Sequence, residues 1–205
     1  MVRIDVAKLQ HEVRDGIHGF VLFDAFEKAL FDSAPMQRLR CIHQLAMCFQ
    51  VYPGATHKRF EHSIGVMEFA ARIFDRLFNR RLPDKVQERI APELEPGRKD
   101  YWRRVVRVAG LLHDVGHLPF SHAAESALLP EGWNHERLTA DIIRNSDIAR
   151  ILKDERPVVE PEDIVDVAWD VTKRIKCEAT GWSLTPCKNA SERDHLWQHL
   201  RSRPN

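Results

Sequence analysis

The stretch from Tyr101 to His113 constrains this chain more than any other part of it. Read as a helix, it carries Val105, Val106, Val108, Ala109, Leu111 and Leu112 and is apolar over most of its girth. Such a helix keeps almost no face for water, so other elements must surround it. Those elements also read as helical. From Arg59 to Asn79, Ile64, Val66, Met67, Phe69, Ala70, Ile73, Phe74, Leu77 and Phe78 form an apolar stripe, which predicts one long amphipathic helix. Met36, Leu39, Ile42, Leu45, Ala46 and Phe49 predict another over 35–49, before the turn signal Tyr52-Pro53-Gly54. Further helices are expected over 120–129, over 133–151 with an interruption at Asn145-Ser146-Asp147, and over 162–176. Shorter ones are expected within 82–99 and near 191–201. The expected fold class is therefore all-α, a helical bundle. Residues 10–23 are the exception, where Gly16 and Gly19 flank short apolar runs and predict a small N-terminal β-hairpin.

Composition excludes several function classes. Hydrophobic residues make up 43% and charged residues 30% of the 205, as in ordinary soluble domains. No stretch approaches the roughly 20 apolar residues that cross a membrane. The start Met1-Val2-Arg3-Ile4-Asp5-Val6 lacks the apolar core of a signal peptide. A cytoplasmic location without a membrane partner is expected. The net charge of +1 argues against a general nucleic-acid footprint. The basic clusters Arg72, Arg76, Arg80, Arg81 and Arg98, Lys99, Arg103, Arg104, Arg107 read as solvated helix faces. Four cysteines show no paired C-x-x-C spacing, and Cys41 and Cys48 are expected as small core residues. Periodicity fades beyond Cys177, so a domain over 1–176 and a loosely packed tail over 177–205 are expected.

The central helix ends on His113-Asp114. His62 lies upstream, near the start of the long helix, and His117, His122 and His135 lie downstream. A lone His-Asp pair carries no weight, and a single histidine more often caps a helix or fills a core hydrogen bond. The weight comes from clustering beside the turn-forming Gly116 and Pro119. His117 stands at i+4 from His113, a spacing that puts both on one helical face. An imidazole-rich site with one or two carboxylates suits Mn, Fe, Zn or Ni better than Ca. Such an ion polarises phosphoryl oxygens and activates water.

Several of these segments together resemble a known family. They are Arg38-Leu39-Arg40, Gln44-Leu45, Tyr52-Pro53-Gly54-Ala55-Thr56-His57, Arg59-Phe60-Glu61-His62-Ser63-Ile64-Gly65-Val66 and 112–122, with Asp15-Gly16-Ile17-His18-Gly19 before them. The run is similar to the HD-domain deoxynucleoside triphosphate triphosphohydrolases over about residues 13–170. Its nearest likeness is to the HD domain of the mammalian member that joins a SAM domain to it, and no SAM domain precedes it here.

The resemblance implies a set of roles. His62, His113 and Asp114 would be metal ligands, and His117, His122 and His135 would surround the triphosphate and the scissile bond. Glu125 would orient an imidazole where the family has Asp. Arg59 would lie against the nucleotide, and Gln44 and Leu45 would line the sugar pocket. The implied reaction is attack on the α-phosphorus, giving a deoxynucleoside and inorganic triphosphate, with His122 as general acid. Asp32, Gln37 and Arg40 match positions that hold a regulatory guanine nucleotide at a subunit interface of a homo-oligomer, though an exposed polar helix start accounts for them equally well.

The family's last ligand, an Asp about a hundred residues after the HD pair, would fall beyond Asn205, so the pattern looks C-terminally shortened. Asp194 is the late candidate in a helix-like setting, and Asp170 a poorer one. Two alternatives stand beside the triphosphohydrolase. One is an HD phosphohydrolase on other nucleotides or short nucleic acids, and the other is a degenerate, non-catalytic nucleotide-binding module.

Overall fold

A helical bundle entered through a β-hairpin is what the computed structural model shows, over the described residues 11–78, 96–169, 176–177 and 182–183. Strands β1 (His11–Asp15) and β2 (Gly19–Phe23) pair antiparallel, with Val13 opposite Val21. Eight helices follow among the described residues: α1 (Ala25–Asp32), α2 (Ala34–Arg38), α3 (Arg59–Phe78), α4 (Pro96–Leu112), α5 (His122–Leu128), α6 (His135–Asn145), α7 (Asp147–Asp154) and α8 (Pro161–Trp169). The chain divides into two units, 1–169 and 170–205. In the second, the described strands are β3 (Lys176–Cys177) and β4 (Trp182–Ser183), which pair antiparallel.

The helix α4 is central, as its composition requires. Val105, Val108, Ala109, Leu111 and Leu112 are at most 2% exposed. Burying each Val or Leu contributes about 1.5–3 kcal/mol relative to leaving it exposed. One side of α4 packs on α3 and another on α8, and α8 also holds α6. Gly110 makes the α3 contact close: a Cβ there would stand 3.1 Å from Met67 Cα and 3.1 Å from the Val66 carbonyl oxygen. The absence of a side chain lets the two helix backbones approach just before His113. In α3 the buried apolar residues are Phe60, Ile64, Met67, Ala71 and Phe74, while Phe69, Ile73 and Leu77 stay exposed.

Four expectations need correction. The first is the helix over 35–49. Only α2 and two 3-10 turns, Leu39–Cys41 and Cys48–Gln50, form there, because Ile42 and Gln44 pair their backbones with 57–59. Arg59 N donates to Ile42 O at 2.9 Å, and Gln44 N donates to His57 O at 3.0 Å. Met36, Leu39 and Ile42 are buried at a spacing of three, the period of a 3-10 turn. Beyond them Leu45 and Met47 are exposed. The second is that Cys41 and Cys48, placed on this irregular segment, are exposed rather than core.

Third, the helix expected over 162–176 does not reach its end, since Lys176–Cys177 pairs with Trp182–Ser183 as a strand. Fourth, Arg103, Arg104 and Arg107 of α4 pack against other elements rather than facing solvent, while Arg98 stays exposed as expected. Arg107 is buried, with Nε 2.5 Å from Glu27 Oε1 and Nη1 3.0 Å from Glu68 Oε2. Arg103 pairs with Asp75, and Arg104 pairs with Asp24 and Glu155. Burial raises the Glu27 carboxyl above its ordinary range, against the opposing charge of Arg107. This network ties α4 to α1 and α3 with the charges that sequence alone assigns to solvent.

The break inside 133–151 falls where expected. Ser146 ends α6 and caps α7, its hydroxyl accepting from Ile148 N at 3.2 Å. Upstream, Asn134 caps α6 by accepting from Arg137 N at 2.9 Å, which sets His135 as the first residue of that helix. The expected short helices within 82–99 and near 191–201 lie largely or wholly outside the described residues. No helix among the described residues is long and apolar enough to cross a membrane.

Candidate functional site

The end of α4 and the start of α3 bring three ligand-type side chains together. His62, Asp114 and His113 each offer one atom, and these atoms lie within 4.8 Å of one another. Asp114 stands between the two imidazoles. Its Oδ1 is 3.4 Å from His113 Nε2, and its Oδ2 is 3.8 Å from His62 Nε2. The imidazole of His113 is oriented by its own helix: Nδ1 lies 2.8 Å from Gly110 O. A carbonyl only accepts, so Nδ1 carries the hydrogen and Nε2 keeps a bare lone pair. That arrangement is the one a metal-binding histidine needs.

The protonation states suit the same purpose. Burial pushes the Asp114 carboxyl up, but the His117 hydrogen bond and the charges of His113 and Arg59 hold it well below the usual carboxylate range. Burial, then the neighbouring His113, pushes His62 below the ordinary imidazole value. An ionised carboxylate beside two imidazoles is a donor set that fits one divalent transition ion.

Side chains from elsewhere fasten the turn that follows. Arg59, only 3% exposed, donates from Nη1 to Asp114 Oδ2 at 2.5 Å and from Nη2 to Ser121 Oγ at 2.7 Å. Arg38 donates to the carbonyls of His117 (2.7 Å) and Val115 (2.5 Å). Thr139 on α6 accepts from Gly116 N at 2.9 Å and donates to His113 O at 3.2 Å. Gly116 permits this seat, because a Cβ would stand 2.3 Å from His135 O and 2.4 Å from Thr139 N. Phe120 and Ser121 sit at φ 67° and 55° without being glycine. Such conformations cost about 1–3 kcal/mol each and persist where surroundings over-determine them.

A second cluster adjoins the first. His117, His122, Glu125 and His135 also bring four ligand-type atoms within 4.8 Å. His117 is buried, and its Nε2 lies 3.4 Å from Asp114 Oδ1, so it joins the two clusters. Its ring stacks on His135 at 3.9 Å between centroids and 17° between planes. Burial lowers its affinity for a proton, against the pull of Asp114. One oxygen of Glu125 faces both other imidazoles: Oε1 is 2.7 Å from His122 Nδ1 and 2.9 Å from His135 Nδ1. Burial works against the charged form of Glu125, but its hydrogen bond to His122 and the charge of His135 outweigh that and hold its carboxyl below the ordinary value.

The residues named from sequence therefore fall in three places. His62, His113 and Asp114 form the first cluster, and His117, His122, Glu125 and His135 the second. The expected shared helical face of His113 and His117 is not there. The helix ends at Leu112, and successive turns, Val115 N to Leu112 O and His117 N to Asp114 O, send the two histidines to different clusters. Arg59 is spent on Asp114 and Ser121. Gln44 is half-buried, and its Oε1 is buried without a hydrogen-bond partner among the described residues. Leu45 is 46% exposed.

At the surface, Asp32 pairs with Lys28 and lines an open groove with Asp147, Arg150 and Asp154. Neither Gln37 nor Arg40 lines that groove. They are joined to each other at 2.8 Å, and Arg40 lies 3.7 Å over the Phe60 ring. Asp170 and Asp194 lie outside the described residues. Sequence reasoning gave no role to Arg38 or Thr139. Arg38 stood within a quoted motif, whereas nothing local marks Thr139.

The chain is also similar to known proteins. The HD domain family model matches residues 59–196. The chain is 33% identical to the Mus musculus deoxynucleoside triphosphate triphosphohydrolase SAMHD1 over 210 residues, 98% of this chain and 28% of that protein. It is 34% identical over 149 residues to a putative HD domain-containing protein of Acanthamoeba polyphaga mimivirus, 68% of this chain and 32% of that one. Among solved structures, a hypothetical protein from Aquifex aeolicus matches with a TM-score of 0.57 at 34% identity, covering 77% of this chain and 37% of that chain. The chain thus spans less than a third of the length of either curated relative.

Proposed function

Because this chain belongs to the HD domain family, we propose that it is a metal-dependent phosphohydrolase cleaving deoxynucleoside triphosphates to deoxynucleoside and inorganic triphosphate. The observation that carries the reading is the junction of two clusters of different chemistry, Asp114 lying 3.4 Å from His117. The name borne by the Mus musculus relative supports triphosphate as the product. In this reading His62, His113 and Asp114 hold a divalent ion of the Mn, Fe, Zn or Ni kind. When bound, that ion supplies charge neutralisation and Lewis-acid polarisation at a phosphoryl oxygen.

The chain's own groups account for the rest. Arg59 keeps the Asp114 carboxylate ionised and oriented through its 2.5 Å bond. Phosphoryl transfer depends on positioning and on stabilising developing charge, and the clustered imidazoles of His117, His122 and His135 supply donors for it. Glu125 accepts at Nδ1 of His122, so a proton carried at its Nε2 can pass to the departing 5'-oxygen while the carboxylate stabilises the imidazolium. The buried, unpartnered acceptor of Gln44 supports a contact with a donor on the ligand, such as a sugar hydroxyl.

Incubating the chain with Mn and dGTP and resolving the products by ion-exchange chromatography tests the proposal. Deoxyguanosine and triphosphate are expected. Pyrophosphate or monophosphate instead would assign a different phosphohydrolase, and nucleotide binding without product would assign a binding module.

A further inference from the structure

The His122–Glu125–His135 group has a geometry that proton transfer alone does not require. Both Nδ1 atoms aim at one carboxylate oxygen, from 2.7 and 2.9 Å. The two rings meet at 71° with centroids 4.9 Å apart, so the two Nδ1 atoms approach that point from different directions, and an ion there would take the place of the protons they donate to the carboxylate. An ion about 2.0–2.1 Å from each nitrogen lies on the same two axes. Reaching it needs a shift of under about 1 Å per ring and a withdrawal of Oε1 by about 2 Å, taken up by the flexible Glu arm.

We propose that His122, Glu125 and His135 form a second divalent-cation site, and that a zinc-type ion there inhibits hydrolysis by occupying the groups that hold and donate the proton. The inhibitory half rests on the function proposed above, while the binding half does not. Two imidazoles and one carboxylate favour Zn, Co or Ni over Ca and Mg. Three protein ligands with an open position is the form that zinc sites take when they also bind water. His117 is left out of the ligand set because its ring runs parallel to His135, 3.9 Å away, so the two in-plane lone pairs do not converge. Its Nδ1 is buried with no hydrogen-bond partner among the described residues, and water on the ion would supply one. His122 is 70% exposed and gives the ion a way in from solvent. Glu125 reaches both imidazoles with its longer arm, and an Asp would fall short by one methylene.

The test is zinc titration of the full chain after chelator treatment, read by calorimetry and by the visible spectrum of the cobalt-loaded form. Two equivalents assigned by variant are expected. Asp114→Asn removes one and leaves the other. Glu125→Gln or His122→Gln weakens the other at least tenfold, with folding checked by circular dichroism. Glu125→Asp should weaken it as well. A single equivalent, or a second one untouched by both Glu125→Gln and His122→Gln, overturns the site. Activity separates the two proposals. Hydrolysis with Mn that zinc fails to inhibit removes the inhibitory role, and two zinc equivalents without any hydrolysis leave the site standing while the proposed function falls.

Discussion

The two histidine clusters touch, yet they are built in opposite ways. His62, His113 and Asp114 stand at the ends of long helices, and two of the three have their orientation set by a neighbour. Gly110 O holds His113, and the buried Arg59 holds Asp114. Apart from the buried His117, the outer group rests on the seven-residue α5 and the first residue of α6, and one carboxylate oxygen holds His122 and His135. Asp114 is 9% exposed and His122 70%. The inner cluster is therefore part of the fold, and changing it should cost stability as well as chemistry. The outer cluster is an attachment, where chemistry should change with little loss of stability.

The sharpest way to break this contrast is Asp114→Ala. It leaves Arg59 buried without its counter-ion, and removing one partner of such a pair costs about 3–5 kcal/mol. Urea unfolding of the metal-free variant should show that loss, and metal titration should show the equivalent held by the inner cluster gone. A loss under about 1 kcal/mol would place the pair with ordinary surface ion pairs and end the distinction. Gly116→Ala comes next. Its Cβ meets His135 O at 2.3 Å, so α6 must move off the turn. Overpacking of this kind costs about 1–3 kcal/mol, and the same movement pulls His135 from Glu125. Both stability and kcat should therefore fall; normal values for both would show that α6 yields without disturbing either cluster.

How far sequence reaches follows the same division. The helices α3 and α4 could be read because their apolar residues repeat over many turns, and both inner histidines lie on or beside them. The segment 35–49 misled because Met36, Leu39 and Ile42 fit a helix locally, while the backbone bonds from Ile42 and Gln44 to 57–59 are non-local. The resemblance already divided these residues into the two sets that the structure brings together, whereas the one shared face that spacing predicts for His113 and His117 does not form. Spacing of i+4 assumes that the helix continues, and α4 ends at Leu112. Arg38 and Thr139 bind backbone groups of the turn from distant elements, and nothing in their local pattern records that. The packing of Arg103 and Arg107 against other elements escaped notice because their partners Glu27, Glu68 and Asp75 come from other helices.

Glu125→Gln probes the outer side of the contrast. Gln still fills the space but cannot accept from both imidazoles as an anion does. A loss of about tenfold to hundredfold in kcat is expected, the lower range for weakened acid–base assistance. Stability should change by less than about 1 kcal/mol, the scale of a single hydrogen bond. If unfolding shifts as far as it does for Asp114→Ala, the outer cluster is structural after all.

The smallest effect is the pH dependence of metal-free stability between pH 7 and 5.5. Burial lowers the proton affinity of His62 and His117 in the folded chain. Below about pH 6.5, the ordinary histidine value, the unfolded state takes up protons that the folded state refuses. Stability is then fully present above that pH and declines as pH falls toward the folded values. The slope for the buried His117 is at most about 1.4 kcal/mol per pH unit, and His62, whose side chain is 36% exposed, adds less because water screens it. Asp114 adds nothing in this window, since its carboxyl is ionised in both states there. Thermal unfolding at four pH values should show the decline, and His117→Asn should flatten most of it. An undiminished slope in that variant would mean that the buried imidazole joining the two clusters is not what resists the proton.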